Sequence, residues 1–407
     1  MNKAFKLLIA SFISISALAQ NSDSSKWKHF YNLFDNPYKT QFDSIKIVDQ
    51  SASVFMHTNR ISNRFIYPFV LGGSLDKSVI DKNLANDKNK RFHQQLNFDV
   101  RFINLDSKRA WYITTGYHQR LSLNVSNDAM KLIFRGNTQK DIYQFNHAYY
   151  NQIRFNKLGA GLYFAPQKIA KPYNLRIGIY GIQGLNHGKI SAYEQNYLQG
   201  NDDSLTVGLN YNASFANQSF GAGAELIFNQ SLSANQAWGF RFENFGYVYS
   251  NQNSSTYHAN GTFVFNGLVI SDLSKIRTPN YFETAFDSLT NPMTNKEANQ
   301  SQHIWIAPIS FLYYTLKHQR MYYQFGLHHS GNKAVPSAEI RAYRFMKSKV
   351  LLGLTLGGIG QLYVNTDMRW AINRRWFLQA GLYHLEALVW STKLGGMGAN
   401  FGLQAAF

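Results

Sequence analysis

The 407-residue chain contains no cysteine, and this absence removes several forms of stabilisation and attachment. Without thiols the chain can form no disulfide, bind no metal through cysteine and receive no lipid at a cysteine after export. Charged residues are also scarce, at 16% of the chain, whereas a large soluble β-sandwich should carry more charge on its exposed faces. The composition therefore disfavours a disulfide-rich secreted domain, a lipoprotein and a soluble sandwich.

Long apolar runs are missing beyond the first twenty residues. A short apolar stretch over residues 7–18 follows two lysines and ends in small residues. This arrangement predicts a secretory signal peptide over residues 1–19, cleaved between Ala19 and Gln20. The stretch is shorter than the roughly 20 residues that a membrane-spanning helix requires, which argues against a retained helical anchor.

Motifs of known catalytic sites are missing as well. The sequence has no G-x-S-x-G, no Walker phosphate loop, no dinucleotide-binding glycine motif after a strand and no H-E-x-x-H. His328 and the nearby Ser330 loosely resemble an outer-membrane phospholipase arrangement, but Ser-Gly-Asn is also typical of a hairpin turn. We therefore predict a non-enzymatic protein without catalytic residues, metal site or cofactor, and an outer-membrane hydrolase is the least favoured alternative.

Aromatic residues, by contrast, are abundant, with 25 Tyr and 31 Phe in the chain. This content suits a membrane β-barrel, in which aromatic rings concentrate at the two interfaces and lipid-facing residues alternate with inward-facing ones. The formal net charge of +18 favours contact with a phosphate-bearing membrane surface, so membrane lipid and lipopolysaccharide are the expected partners. Nucleic acid is not expected, because no basic helix, zinc motif or RNA-binding signature accompanies the charge.

Apolar and polar residues alternate along many segments of membrane-spanning length. The pattern predicts an all-β, transmembrane antiparallel β-barrel of about fourteen strands, within a range of twelve to sixteen. The alternating runs counted as separate strands include Tyr143–Phe155, Leu158–Phe164, Leu205–Phe215 and Phe220–Phe228.

Charged residues within these runs should face the interior, because charge is costly in lipid. They could line a polar path or pair with one another in a packed barrel. The predicted lumen-facing residues are Asp99, Arg101, Arg176, Glu225, Asp367 and Arg369. In the last strand, the residues predicted to face lipid and close the barrel are Phe401, Leu403, Ala405 and Phe407. A terminal aromatic residue on such a strand is typical of clients of the barrel-assembly machinery, which is therefore an expected partner during biogenesis.

Three regions depart from a simple meander of strands. Residues 20–90 are less regular and could supply a plug, the first strands or both, whereas residues 91–407 are predicted to form the barrel. Residues 250–302 are polar and contain two prolines, which predicts a long loop with room for one hairpin. A short helix is predicted over Ser126–Gly136, with Asn127 and Asp128 as candidate capping residues.

Three segments of the chain have a recognisable pattern, namely Leu121–Asn137, Leu158–Tyr163 with the later Gly184-Leu185, and the glycine-rich end from Leu394 to Phe407. They resemble a Bacteroidota family of outer-membrane barrels of unknown function, and less closely the long-chain fatty-acid transporter barrels. The resemblance implies a barrel fold and an outer-membrane location rather than a particular activity.

These features favour an outer-membrane pore or transporter for small or hydrophobic solutes, because a polar inner face and a long loop admit and select solutes in such proteins. The alternative is a non-enzymatic assembly or interaction barrel that resembles those associated with type IX secretion, with the long loop as its docking surface.

Overall fold

The structure of the protein is a computed structural model. The residues that it describes are 45–59, 61–71, 74–85, 88–105, 110–136, 142–164, 173–200, 204–233, 235–251, 254–265, 294–298, 300–318, 321–330, 337–346, 350–357, 363–372, 376–386 and 395–406. The predicted signal peptide and Phe407 lie outside these residues.

Nineteen strands occur in the described residues, and all belong to one sheet. They are β1 (Ile45–Asn59), β2 (Lys90–Leu105), β3 (Ala110–Val125), β4 (Ile142–Gln144), β5 (Tyr149–Phe164), β6 (Tyr173–Ala192), β7 (Tyr197–Gly200), β8 (Leu205–Ser233), β9 (Gln236–Ser250), β10 (Ser254–Phe265), β11 (Thr294–Ala298), β12 (Gln302–Ile306), β13 (Ile309–His318), β14 (Met321–Ser330), β15 (Ser337–Met346), β16 (Val350–Gly357), β17 (Tyr363–Ala371), β18 (Trp376–Tyr383) and β19 (Gly395–Ala406).

Fourteen of the described strands pair antiparallel in a closed ring. Its order is β1, β2, β3, β5, β6, β8, β9, then β13 to β19 in sequence. Strand β19 returns to β1, from Ile47 opposite Ala406 to Thr58 opposite Gly395. Closure pairs the backbone groups that an open edge would expose to lipid. The predicted antiparallel barrel of about fourteen strands is therefore confirmed.

Strand β8 is longer than its neighbours in the ring and continues beyond it. Its first part pairs with β10 on one edge and with β7 on the other, and β10 also pairs with β11. Strands β10 and β11 lie in the stretch predicted as a long loop with one hairpin, and they pair antiparallel with each other. The extended β8 offers an unpaired edge, on which β10 can satisfy its backbone hydrogen bonds.

The two ends of the ring differ in their connections. At one end, which we call the short-turn end, brief connections such as residues 106–109 and 319–320 join neighbouring strands. At the other, the long-loop end, the connections are longer and contain the three helices of the described residues. They are α1 (Asn63–Leu71), α2 (Lys77–Leu84) and α3 (Asn127–Arg135). None of these described helices is long and apolar enough to cross a bilayer.

Helix α3 matches the predicted short helix, whereas α1 and α2 were not predicted. The capping residue of α3 is Ser126, whose Oγ accepts a hydrogen bond from the Ala129 N–H at 3.1 Å. The two predicted caps make other contacts. Asn127 donates to the carbonyl of Leu84, and Asp128 accepts from the N–H of Gln144. Tertiary hydrogen bonds thus take both side chains away from the helix terminus.

Helix α1 is attached to the closing strand by one asparagine. Asn63 Nδ2 donates to the Gly396 carbonyl at 2.8 Å, and the Gly396 N–H donates to Asn63 Oδ1 at 2.7 Å. Both hydrogen bonds are buried, and Asn63 lies four residues after the end of β1 at Asn59. The two hydrogen bonds therefore attach helix α1 to the junction at which β1 pairs with β19.

The outer face of the ring is apolar and exposed. Side chains of directly paired residues project to the same face, so the register divides every strand into two sets. One set holds large apolar side chains that lie open to the surroundings, among them Val54, Ile113, Leu158, Leu162, Ile177, Ile179, Phe220, Leu312, Phe325, Leu327, Ile340, Met368, Trp370, Leu382 and Phe401. A surface of this extent would be unfavourable in water, and it is what a lipid-facing band requires.

Candidate functional site

The opposite face of each strand carries the polar and charged residues. Tracing the register from strand to strand places positions 99, 101, 176, 225, 367 and 369 on this inner face. Asp99, Arg101, Arg176 and Glu225 come together in one cluster, whereas Asp367 lies apart from it. The side chain of Arg369 lies outside the described parts of the chain.

Two arginines and two glutamates form the first half of this cluster. The Arg176 Nη2 atom lies 2.9 Å from Glu243 Oε1 and 3.5 Å from Glu225 Oε1. Arg101 Nη2 lies 3.7 Å from Glu243 Oε1 and 4.0 Å from Glu225 Oε2. Because β2 and β8 are separated in the ring by β3, β5 and β6, a contact between Arg101 and Glu225 must cross the interior. Ion pairing thus joins strands that share no backbone hydrogen bonds.

Asp99 lies at the centre of the second half of the charged cluster. Its Oδ1 atom lies 2.9 Å from Lys157 Nζ and 3.2 Å from His118 Nε2. Lys157 also donates to Asn244 Oδ1 at 2.8 Å, and its ammonium group lies 5.6 Å from the centre of the Tyr180 ring. Lys157 and His118 are almost completely buried, so their partners in the protein replace water.

Small residues make room for the large side chains of the cluster. Tyr112 is completely buried, and its hydroxyl donates to Glu225 Oε1 at 2.5 Å. A Cβ atom at Gly161 or Gly178 would collide with the Tyr112 ring or hydroxyl. Glycine at these two positions is therefore needed for the close approach of Tyr112, and through it for the position of Glu225.

Nearer the long-loop end, the same wall of the interior is apolar. Buried side chains from β5, β6, β8, β9 and β12 form one cluster, which consists of Ile153, Phe155, Tyr180, Ile182, Ala216, Val248, Ile304 and Ile306. The stacked ring of His118 covers Phe155 at a centroid distance of 5.0 Å. The interior beside strands β3 to β9 is therefore filled, first with ion pairs and then with an apolar layer.

The wall formed by β17, β18, β19 and β1 is different in its middle part, where the inner positions hold small or polar residues, although Ile47, Phe377 and Phe55 face inward nearer its ends. Gln379 Nε2 donates to the Asp367 carboxylate at 3.3 Å, and Asp367, Gln379 and Asn400 are all partly exposed. Ser51 is on the inner face, opposite Gly402 of β19 and Asp99 of β2, and it is exposed. We call this inner surface the polar wall.

On the closing strand, Phe401, Leu403 and Ala405 share the outer face. Phe401 is 43% exposed and Leu403 is partly exposed. Ala405 is only 1% exposed, although its backbone position, opposite Val48 and Trp376, belongs to the same face.

Four residues of the charged cluster were not identified from the sequence: Tyr112, His118, Lys157 and Glu243. Tyr112 and His118 lie at inward positions among the alternating residues of β3, so alternation alone could have selected them. Lys157 lies between the predicted runs Tyr143–Phe155 and Leu158–Phe164, where the register of β5 and β6 shifts nearby. Glu243 is harder to assign, because the register of β8 and β9 shifts between Ala224 and Leu226 and Asn244 has a φ of 58°. Such a bulge changes which residues face inward without leaving a clear pattern in the sequence.

No family model matches the chain, and no curated protein does. Several solved channel and transporter structures align with most of the chain at low scores. They include the toluene transporter TbuX of Ralstonia pickettii, with a TM-score of 0.46, 7% identity and 92% of each chain covered. Another is the TodX deltaS2S3 mutant monoaromatic hydrocarbon channel, with a TM-score of 0.43, 8% identity, and coverage of 92% of this chain and 93% of that one. A third is a Pseudomonas aeruginosa FadL homologue, with a TM-score of 0.37, 8% identity and the same coverage. At these scores and identities the likeness carries no conclusion about activity, and the strand pairing remains the basis of the fold.

Proposed function

We propose that the protein is an outer-membrane pore or transporter that passes small or hydrophobic solutes along the polar wall. The observation that carries this proposal is Ser51, which faces the interior yet is exposed. A barrel that served only as a membrane anchor could fill its interior completely, as the opposite wall does. Accessible space beside a packed wall is instead what a narrow, selective passage requires.

The two sides of the interior differ in what they offer a solute. The polar wall presents amides and hydroxyls, whereas the apolar layer around Phe155 and Val248 is buried within the packed side. Short turns face the periplasm and long loops face outward in barrels of this type. By this rule solutes would enter at the long-loop end, beside the three helices. Export by the predicted signal peptide and insertion by the barrel-assembly machinery belong to the same proposal.

Substitution of two neighbouring residues of β1 tests the proposal. Ser51 and Ala52 point to opposite faces, so Ser51→Trp places an indole in the route and Ala52→Trp places the same group toward lipid. We expect wild-type protein in planar bilayers to conduct and Ser51→Trp to lose most of the conductance, while Ala52→Trp retains it. Equal conductance of the two variants would refute the route. A folded wild-type barrel that does not conduct and takes up no solute into liposomes would favour the assembly alternative.

A further inference from the structure

Arg120 of β3 is a buried cation for which the described residues provide no counter-charge. Its side chain is 6% exposed, and it projects from the inner face between His118 and Ser122. Among the described residues, no carboxylate lies within 4 Å of its guanidinium group, whereas Arg101 and Arg176 each have two. A buried charge without a partner is strongly unfavourable, so the environment of Arg120 needs another explanation.

One nitrogen of Arg120 donates a hydrogen bond to a backbone carbonyl at a break in the barrel wall. Strands β12 and β13 pair with β9 in succession, and the break between them contains Ala307 and Pro308. Proline has no N–H to donate, and regular pairing cannot continue through it. Arg120 Nη1 donates to the Ala307 carbonyl across the interior. The Nε and Nη2 atoms are buried and have no hydrogen-bond partner among the residues that the structure describes.

Arg120 also lines a small, partly enclosed space. A cavity of about 20 Å³ is lined by Arg120, His93, Ser122 and Asn151, together with Ile153 and the Ile306–Ala307 segment. His93 Nδ1 and Ser122 Oγ lie 2.9 Å apart, and His93 Nε2 is buried with no hydrogen-bond partner in the described part of the chain. If the serine donates to Nδ1, the neutral imidazole carries its proton on Nε2 and offers a further donor. The polar lining thus consists mainly of hydrogen-bond donors around one guanidinium charge.

We infer that this cavity is a binding site for one small monovalent anion of halide size. A space of this volume exceeds the roughly 10 to 15 Å³ that a single water needs, but it cannot hold a phosphate or the carboxylate of a larger solute. The guanidinium supplies the charge, and the Arg120 and His93 N–H groups supply directional hydrogen bonds. The anion would neutralise Arg120 and link β2, β3 and the break between β12 and β13. This site is independent of whether solutes pass along the polar wall.

Bromide serves as the probe, because its anomalous scattering identifies it in a crystal. We expect crystals grown in sodium bromide to show an anomalous peak beside Arg120 Nε and Nη2. In solution, the folding equilibrium constant of the full-length barrel should rise with bromide at constant ionic strength, with gluconate as the replaced anion. Above the dissociation constant, a tenfold increase in bromide should give about a tenfold increase.

Variants assign the effect to this cavity. Arg120→Gln should abolish the bromide dependence, and Ser122→Ala should weaken it, which keeps the test informative if the arginine variant does not fold. Arg154→Gln removes an exposed arginine from the outer face of β5 and should retain the full dependence. Identical stability in bromide and gluconate, or a cavity without an anomalous peak, would overturn the inference.

Discussion

At the scale of single residues, Glu225 is a buried carboxylate whose charge is balanced by residues of other strands. Its side chain is fully buried and lies between Arg101, Arg176 and the Tyr112 hydroxyl. Removal of one member of a buried ion-pair network leaves the remaining charges without compensation. We predict that Glu225→Gln lowers the free energy of unfolding by about 3 to 5 kcal/mol, as measured by denaturant titration in lipid vesicles.

The exposed pair of Arg64 and Asp76 provides the control. These side chains are 56% and 67% exposed and 3.6 Å apart, so solvent screens their interaction. Asp76→Asn should therefore change the free energy of unfolding by at most about 1 kcal/mol. A Glu225→Gln variant as stable as Asp76→Asn would mean that the interior cluster is well hydrated rather than packed.

Two glycines of β6 make a sharper test of packing around Tyr112. A methyl group at Gly178 would collide with the Tyr112 hydroxyl, whereas at Gly181 the nearest atom would be 3.9 Å away. We predict that Gly178→Ala destabilises the barrel by about 1 to 3 kcal/mol through overpacking, and that Gly181→Ala is nearly neutral. Equal unfolding midpoints for the two variants would contradict the described position of Tyr112.

Sequence alternation could predict which face of a strand Asp99, Arg101, Arg176 and Glu225 occupy. It could not predict that Arg101 meets Glu225, because that contact depends on how far the ring curves between β2 and β8. Arg120 was missed for another reason. It lies among the alternating residues of β3, where an inward arginine resembles any other until its lack of a counter-charge among the described residues is known.

At the scale of elements, the connection after β18 depends on one carboxylate. Glu386 Oε2 accepts from the Val364 N–H at 2.7 Å, and Oε1 lies 2.9 Å from His384 Nδ1. Burial opposes ionisation, but the hydrogen bonds from His384 and from the Val364 backbone hold the pKa of Glu386 below its usual range. A lowered pKa in the folded state means that the ionised carboxylate stabilises the fold.

This contribution has a defined dependence on pH. It is fully present above the pKa of an unfolded glutamate, about 4.3, and is lost as the pH falls through the lower pKa of the folded state. We predict that Glu386→Gln reduces stability at neutral pH and flattens its decline in acid, as followed by thermal unfolding between about pH 7 and 3. Glu194→Gln, in an exposed connection, should keep the wild-type profile. The same acid slope for both variants would contradict the assigned role.

Strand number was predicted correctly although individual strands were not. The runs Tyr143–Phe155 and Leu158–Phe164 largely belong to the single strand β5, and the two runs between Leu205 and Phe228 belong to β8. Strand β1 was not recognised as one defined strand. The interruptions lie where Arg154 and Phe155 shift register and where Gln218 has a φ of 56°. A bulge reverses the polarity pattern without ending the strand, so local alternation divides it in two.

At the scale of the whole molecule, the apolar band fixes how the barrel must sit in a bilayer. Ile179 is 72% exposed on the outer face of β6, between Ile177 and the exposed Gly181. We predict that Ile179→Arg lowers the free energy of unfolding of the barrel in vesicles by about 2 to 4 kcal/mol, the cost of arginine near the midplane. Ile179→Phe keeps an apolar side chain of similar burial and should fold normally. An arginine variant that inserts as well as the phenylalanine variant would place this position outside the membrane.

The attachment of Asn63 to Gly396 has a consequence for the order of events during biogenesis. The two residues are 333 positions apart in the sequence, and they lie beside the seam at which β1 meets β19. During synthesis β1 emerges long before the strand that completes its pairing, so one of its edges stays unsatisfied until nearly the whole chain exists. Joining ends so far apart costs about 5 kcal/mol of chain entropy, and the reward arrives only at closure. We therefore expect the barrel to close in one late step, after β19 has been synthesised. Until then, the free edge of β1 needs protection from incorrect strand pairing.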